Sequence, residues 1–301
     1  MKARRGIYAA AISPFDADGQ LNAGKLIGYC QHLLGEGGCD GVAPTGTTGE
    51  GTSIAMADRL ALPAAFAEAG IETDRVIFGT GAPASGDCVA LTKAACDAGY
   101  TNVLVLPPYY YKGPTDDGLY AYYAKLIDGV GRNDLRVYLY HFPQMSAVPL
   151  SVDLVTRLKT EFGPVIAGLK DSSGDFAQSA AFMKATGGVD GDFDVFPSSE
   201  AMLWDGLALG SAGVISGSTN AFGAKAQAAL QADAGAARDA AMKAVKAARA
   251  VAGKYPLMAA MKQIEAWRSG DDGWLNMAPP LVPLTAQQQA DLKHDLATLD
   301  A

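Results

Sequence analysis

The stretch VIAGLKDSSG (165–174) sets a lysine at the end of an apolar run. Val165, Ile166 and Leu169 read as a strand buried on both faces, and a lysine is costly to bury there. An amine attacks a carbonyl carbon only when unprotonated, and at lysine's ordinary pKa of about 10.4 little free amine exists near neutrality. Apolar surroundings disfavour an ammonium, so a lysine at such a place is a nucleophile able to form a Schiff base with a ketone. The plain alternative is a strand-end lysine that reaches water, as most lysines do. All five residues before Lys170 are apolar or glycine, which weighs against that alternative.

Other residues could serve such chemistry. Tyr140 ends the run RVYLYHF (136–142) and reads either as a proton donor and acceptor or as an aromatic plug. His141 follows it directly, so strand alternation turns the two side chains opposite ways, and a packed or solvated histidine is expected. GTTGE (46–50) is a glycine-rich turn with adjacent hydroxyls: either a carboxylate or phosphate cradle, or an ordinary turn with a capping threonine. It lacks the spacing and lysine of a P-loop. GTGAPASG (79–86) lacks the GxGxxG spacing of a dinucleotide site. Tyr109, Tyr110 and Tyr111 form a run whose plain reading is interface packing.

These residues fall at the ends of short apolar runs that alternate with amphipathic stretches. The runs are 7–13, 40–44, 75–81, 102–108, 136–142, 165–170, 193–198 and 212–217, with helical patterns between them. Strands without polar alternation imply a parallel sheet covered on both faces. Eight β/α repeats are the number that closes a (β/α)₈ TIM barrel, whose active site lies at the C-terminal ends of the strands. The barrel is expected over residues 1–221. From 222 to 301 no strand pattern occurs, and an alanine-rich stretch broken near Gly235 and Gly253, with further helices near 257–268 and 286–299, predicts a helical C-terminal appendage packed on the barrel.

Composition narrows the partners. With 301 residues, a net charge of −8 and no lysine/arginine-rich run, neither nucleic acid nor an anionic membrane surface is an expected partner, while a small anionic metabolite fits. The apolar stretch after the basic N-terminus is too short for a signal h-region, and no segment reaches the ~18–20 apolar residues of a membrane helix. Cys30, Cys39, Cys88 and Cys96 form no CxxC pair and read as reduced core thiols, which predicts a cytoplasmic protein. Three scattered histidines give little support for a metal site.

Taken together, GTTGE, PPYYYKGPTDDGLYAYY (107–123), LYHFP (139–143), GLKDSSGD (168–175) and GSAGVISGSTN (210–220) occur in the order and spacing of one family. The chain resembles the dihydrodipicolinate synthase/N-acetylneuraminate lyase family of class I, pyruvate-type aldolases, over nearly its whole length. That resemblance implies a homotetramer built as a dimer of dimers, and a 2-oxo acid such as pyruvate as substrate. It requires no metal or organic cofactor, because the imine itself is the electron sink. It implies that Lys170 forms the imine, that Tyr140 shuttles protons, and that Thr47 and Thr48 hold the carboxylate and relay protons. Gly46, Ser198 and Ile215 join Thr48 as substrate-binding residues. A tyrosine from a neighbouring subunit completes the relay; Tyr110 matches best, with Tyr109 and Tyr111 as alternatives.

Departures from the family pattern bear on the substrate. Synthases carry an arginine shortly after the Tyr140-type tyrosine to bind the second substrate's carboxylate, and here Met145 stands at that place. His141 replaces a common asparagine. FPSSE (196–200) replaces a glycine–acid–acid turn, setting Ser198 and Ser199 where sugar-acid aldolases meet substrate hydroxyls. KDSSG is nearer the 2-keto-3-deoxy sugar-acid aldolases than the KEATG of synthases. The expected activity is therefore cleavage or formation of a C–C bond between pyruvate and an aldehyde, on a small hydroxylated 2-oxo acid. The alternatives are a dihydrodipicolinate synthase, a dehydratase or deaminase using the same imine, and a non-catalytic barrel that binds a 2-oxo acid.

Overall fold

The computed structural model describes residues 5–299. In chain order the elements are β1 (Gly6–Ala9), α1 (Ala23–Leu34), β2 (Gly41–Val42), α2 (Met56–Glu68), β3 (Phe78–Gly79), α3 (Ser85–Asp97), β4 (Asn102–Val105), α4 (Asp116–Val130) and β5 (Arg136–His141). They continue with α5 (Pro143–Ser146), α6 (Val152–Phe162), β6 (Ile166–Asp171), α7 (Phe176–Thr186), β7 (Asp194–Pro197), α8 (Leu203–Ala208) and β8 (Gly213–Ser216). Four helices close the chain: α9 (Thr219–Gln231), α10 (Ala236–Gly253), α11 (Leu257–Ser269) and α12 (Ala286–Ala297). Each expected apolar run overlaps a strand, and a helix follows each one.

Local sequence explains the helix boundaries. The side chains of Asn22, Thr115, Ser151 and Asp175 accept backbone N–H bonds in the first turns of α1, α4, α6 and α7. Thr285 and Gln288 form a reciprocal capping box on α12. Gly131 ends α4 with φ +66°, the left-handed conformation a glycine adopts without penalty.

Contacts divide the chain into two compact units. One holds Arg59–Ser198 and Met202–Val214. Its strands β3-β4-β5-β6-β7 pair in series, all parallel. Leu104, Leu139, Leu169 and Val195 are buried, as a sheet covered on both faces requires. Phe66 and Tyr100 both pack edge-on against Phe78 with ring centroids 5.1 Å away.

The other unit holds Gly6–Asp58, Ser199–Ala201 and the chain from Ile215 onward. Strands occur here in the order β2-β1-β8, with Tyr8 opposite Gly41. A Cβ at Gly41 would lie 2.0 Å from the Tyr8 ring, so only glycine fits. Beyond Ala9, where β1 ends, backbone bonds from Ala10 N–H to Ser216 O and from Ala11 N–H to Ala43 O continue, joined by the Asn220 side chain. Its amide donates to Ala10 O at 2.8 Å and accepts from Ile12 N–H at 3.1 Å. Buried alanines at 226, 229, 248 and 252 accompany the packing of α9 on α10. All four cysteines are buried and none forms a disulfide. Among the described residues no helix is long and apolar enough to cross a membrane, and no group of three or more His, Cys, Asp or Glu is arranged to hold a metal ion.

Candidate active site

On β5 and β6 the register sets Tyr138 opposite Gly168, Leu139 opposite Leu169, Tyr140 opposite Lys170 and His141 opposite Asp171. Side chains alternate along a strand, so Tyr138, Gly168, Tyr140 and Lys170 share one face, while His141 and Asp171 share the other. Lys170 and Tyr140 are each 3% exposed. The Lys170 amine lies 4.6 Å from the centroid of the Tyr140 ring. Among the described residues no carboxylate forms an ion pair with it, and the face of the Tyr140 ring is the aromatic surface nearest the amine.

The layer beneath explains how the lysine is held. Gly168 faces Asp194 of β7 as well as Tyr138, and a Cβ at Gly168 would meet Asp194 O at 2.2 Å and the Tyr138 ring at 2.8 Å. The glycine therefore lets the Tyr138 ring cross β6, where its hydroxyl donates to Asp194 Oδ2 at 3.0 Å. Phe196, opposite Lys170, packs on Tyr138 with ring centroids 5.9 Å apart. Lys170 thus stands on an aromatic floor that leaves it little room to fold away.

The opposite face is a separate polar cluster. His141 Nδ1 accepts from Leu150 N–H at 3.0 Å and its ring meets Phe182 edge-on. Burial pushes the imidazole pKa down, with the Asp171 carboxylate opposing that effect. Asp171 accepts from Ser173 N–H at 2.9 Å and from Ser179 Oγ at 2.5 Å. His141 lines a cavity of ≈ 590 Å³ together with Gln144, Ser151, Ser173 and Gln178. The packed histidine expected from strand alternation is what the fold contains.

Loops of the same unit carry the remaining candidates. Met145 sits on the short α5 and is 55% exposed. Ser198, just past β7, is half-buried. Tyr110 and Tyr111 are 73% and 77% exposed and stack edge-to-face on each other. Tyr109 is half-buried, and its hydroxyl pKa is raised by burial while Arg59 pulls it down. Lys112 joins two loops by donating to the carbonyls of Tyr109 and Ser146.

The second unit contains the GTTGE turn. Gly46 and Thr47 are half-buried and Thr48 is buried. Glu50 N–H donates to Thr47 O at 3.0 Å, Gly51 N–H to Gly46 O at 3.0 Å, and Ser13 Oγ to Gly49 O at 2.7 Å. Thr48 is brought against the end of β8, since a Cβ at Gly217 would lie 3.0 Å from its Oγ1. Ile215 is fully buried. Ser218 Oγ donates to the buried Glu200 at 2.6 Å and lies 3.0 Å from Ser216 Oγ.

Two charged residues of this unit were not among the sequence candidates. Glu50, the last residue of GTTGE, forms an ion pair with Lys262 of α11, and neither side chain is more than 1% exposed. An acid at the close of a glycine-rich turn is the one signal that pointed to Glu50; nothing local marks Lys262.

Known proteins resemble this chain over nearly its whole length. A model of the dihydrodipicolinate synthetase family matches residues 3–299. An uncharacterized DapA-like lyase from Chloroflexus aurantiacus is 35% identical over 292 residues, which cover 96% of this chain and 95% of that protein. The crystal structure of dihydrodipicolinate synthase from Agrobacterium tumefaciens superposes with a TM-score of 0.87 at 31% identity, covering 98% of this chain and 99% of that one. YagE, a prophage protein of the dihydrodipicolinic acid synthase family from E. coli K12 solved in complex with pyruvate, gives 0.86 at 26% identity and 98% of each chain. A 2-keto-3-deoxygluconate aldolase from Picrophilus torridus gives 0.81 at 25% identity, covering 93% of this chain and 98% of that one. The fold class is accordingly the α/β (β/α)₈ barrel with a helical C-terminal extension. The chain belongs to the dihydrodipicolinate synthetase family, and with it to the class I aldolases and lyases.

Proposed function

We propose that this enzyme makes or breaks the carbon–carbon bond between pyruvate and an aldehyde, acting on a small hydroxylated 2-oxo acid of the 2-keto-3-deoxy sugar-acid type. The observation that carries this reading is the buried Lys170 amine set over the Tyr140 ring. In the forward sense, Lys170 Nζ attacks the C2 carbonyl of pyruvate, and loss of water leaves the imine. Removal of a C3 proton gives the enamine, whose carbon attacks the aldehyde; hydrolysis then returns the free amine and releases the product. Cleavage is the reverse. Tyr140 transfers the protons, and Thr47, Thr48 and Gly46 receive the carboxylate. Ser198 and Ile215 line the substrate's hydroxylated end. The imine serves as electron sink, so the reading calls for no metal or organic cofactor.

Met145 supports a neutral hydroxylated aldehyde over one bearing a carboxylate, because a thioether cannot make the bidentate contact an arginine makes. Tyr110, exposed by nearly three-quarters of its surface, supports a role completed by a neighbouring subunit, and a dimer of dimers is the assembly proposed. Buried cysteines without disulfides accord with the cytoplasm as location.

Incubation with pyruvate and borohydride tests the reading. A reduced pyruvyl adduct on Lys170, absent in Lys170→Ala, is expected; an unmodified Lys170 overturns it. Pyruvate release from a panel of 2-oxo acids, scored against elimination products, then separates the aldolase from a dehydratase of the same family.

A further inference from the structure

We infer that the buried Glu50–Lys262 pair holds the GTTGE turn in its working geometry, so that the C-terminal helical segment takes part in substrate binding. This rests on the reading that Thr47 and Thr48 receive the substrate carboxylate.

The turn is strained and needs an external restraint. Thr45 and Glu50 both adopt left-handed backbone conformations, with φ of +58° and +52°. Non-glycine residues, and β-branched ones above all, seldom do so unless their surroundings over-determine it. Between them the chain closes tightly: a Cβ at Gly51 would lie 1.9 Å from Thr45 O, and one at Gly49 would lie 2.6 Å from Ala11 O. Thr47 and Thr48 sit inside this coil, so their hydroxyls are placed only as well as the coil is.

Glu50 supplies the restraint. One carboxylate oxygen accepts from Ala278 N–H at 2.9 Å, and the other meets the Lys262 ammonium. Lys262 also donates to Asn276 O at 2.7 Å and lies 4.6 Å from the centroid of the Phe15 ring. Asn276 in turn donates to Phe15 O at 2.9 Å, so the turn, the segment after β1 and the residues after α11 form one connected set. Leu257, the first residue of α11, and Thr48 both border Gly217, since a Cβ there would lie 2.8 Å from the Leu257 side chain and 3.0 Å from Thr48 Oγ1. A buried ion pair is a poor source of net stability, because desolvating both charges offsets their attraction. Its geometry here fixes Glu50, at one end of the strained turn, to α11 and the residues after it, which is what a positioning role requires. Burial draws the Lys262 pKa down, and Glu50 opposes that effect.

The experiment measures borohydride trapping of pyruvate on Lys170 as a function of pyruvate concentration, in the unmodified protein and in Lys262→Met, Glu50→Gln and the double variant. Circular dichroism and melting curves establish that each variant is folded at the assay temperature. Half-saturating pyruvate is expected to rise at least tenfold in every folded variant, with trapping at saturation still on Lys170. Half-saturation within twofold of the unmodified protein in a folded variant overturns the inference. The double variant guards against singles that fail to fold, because it leaves no unpaired buried charge. Hydrogen exchange on the unmodified protein is the second arm: amides 46–51 are expected to share the protection of 259–263, and faster independent exchange of the turn overturns the inference. If the unmodified protein is not trapped at all, the proposed activity falls instead, and the exchange arm alone decides the positioning.

Discussion

Tyr140 and Lys170 stand directly opposite each other on adjacent parallel strands, the amine 4.6 Å from the centre of the phenol ring. The register brings them together through backbone pairing alone, so neither side chain has to search for the other. In the proposed chemistry the ring and the hydroxyl of Tyr140 have separable tasks, one in packing against the amine and one in moving protons.

Tyr140→Phe keeps the ring and removes the hydroxyl. The expected result is a folded protein whose turnover falls by about 10²–10⁴-fold, the usual worth of a positioned acid–base group, while Lys170 is still trapped by pyruvate and borohydride at long times. Lys170→Arg is the complement: it keeps a cation over the ring but cannot become a free amine, so no adduct at all is expected. Mass spectrometry of trapped protein reads both. Equal turnover in Tyr140→Phe would remove the tyrosine from the chemistry.

Gly168→Ala tests the floor beneath the lysine. Its Cβ would meet backbone at 2.2 Å and the Tyr138 ring at 2.8 Å, and neither neighbour is the free end of a flexible side chain. Overpacking of this kind costs about 1–3 kcal/mol or more, and Lys170 trapping should fall with it because the lysine is two residues along the same strand. Gly28→Ala is the control. It lies within α1, exposed, with nothing within 4 Å of the added carbon, and should stabilise by roughly 0.5–1 kcal/mol. Thermal melts of the two variants are expected to move in opposite directions.

The eight-repeat plan and the pairing of Lys170 with Tyr140 were legible because apolar runs without alternation mark covered parallel strands, and a charge at the end of one is conspicuous. Boundaries were less so. Sequence extends β1 to Ser13, yet the strand ends at Ala9, and beyond it Asn220, distant in sequence, bonds Ala10 O and Ile12 N–H among the backbone pairings. Likewise β6 runs one residue beyond Lys170 to Asp171, and α5 is hidden in FPQMS, a single turn with proline at its start. Least legible was the Glu50–Lys262 pair. LMAAMKQIEAWRS reads as an ordinary amphipathic helix, but Lys262, Gln263 and Glu265 are all less than 5% exposed. Helical periodicity reports that a polar face exists and is silent on what covers it.

His141 predicts a pH dependence of stability. Burial depresses its pKa from the ordinary value of about 6.5, so the unfolded chain takes up a proton at a higher pH than the folded one. The unfolded state then binds more protons, and stability falls as pH drops through about 6.5, levelling below the folded pKa. His141→Asn, which retains an oxygen able to accept from Leu150 N–H, should flatten the melting temperature between pH 7 and pH 5. Parallel curves for the two proteins would assign that slope to other groups.

Met145 tests the proposed substrate preference by a single substitution that leaves the core undisturbed. It is 55% exposed on a four-residue helix, so Met145→Arg should change stability by no more than about 0.5 kcal/mol. The unmodified protein is expected to condense pyruvate with a neutral hydroxy-aldehyde in preference to one bearing a carboxylate. A guanidinium at this position adds a charged, bidentate hydrogen bond worth about 1.5–3 kcal/mol, or roughly 10- to 150-fold in relative kcat/KM. The ratio of the two substrates should move toward the carboxylate by that factor, carried by KM for the aldehyde, while the pyruvate half-saturation for Lys170 trapping stays fixed. A preference for the carboxylate aldehyde in the unmodified protein would show that another residue supplies the cation and would favour the synthase reading. A ratio unmoved by Met145→Arg would place the aldehyde away from α5.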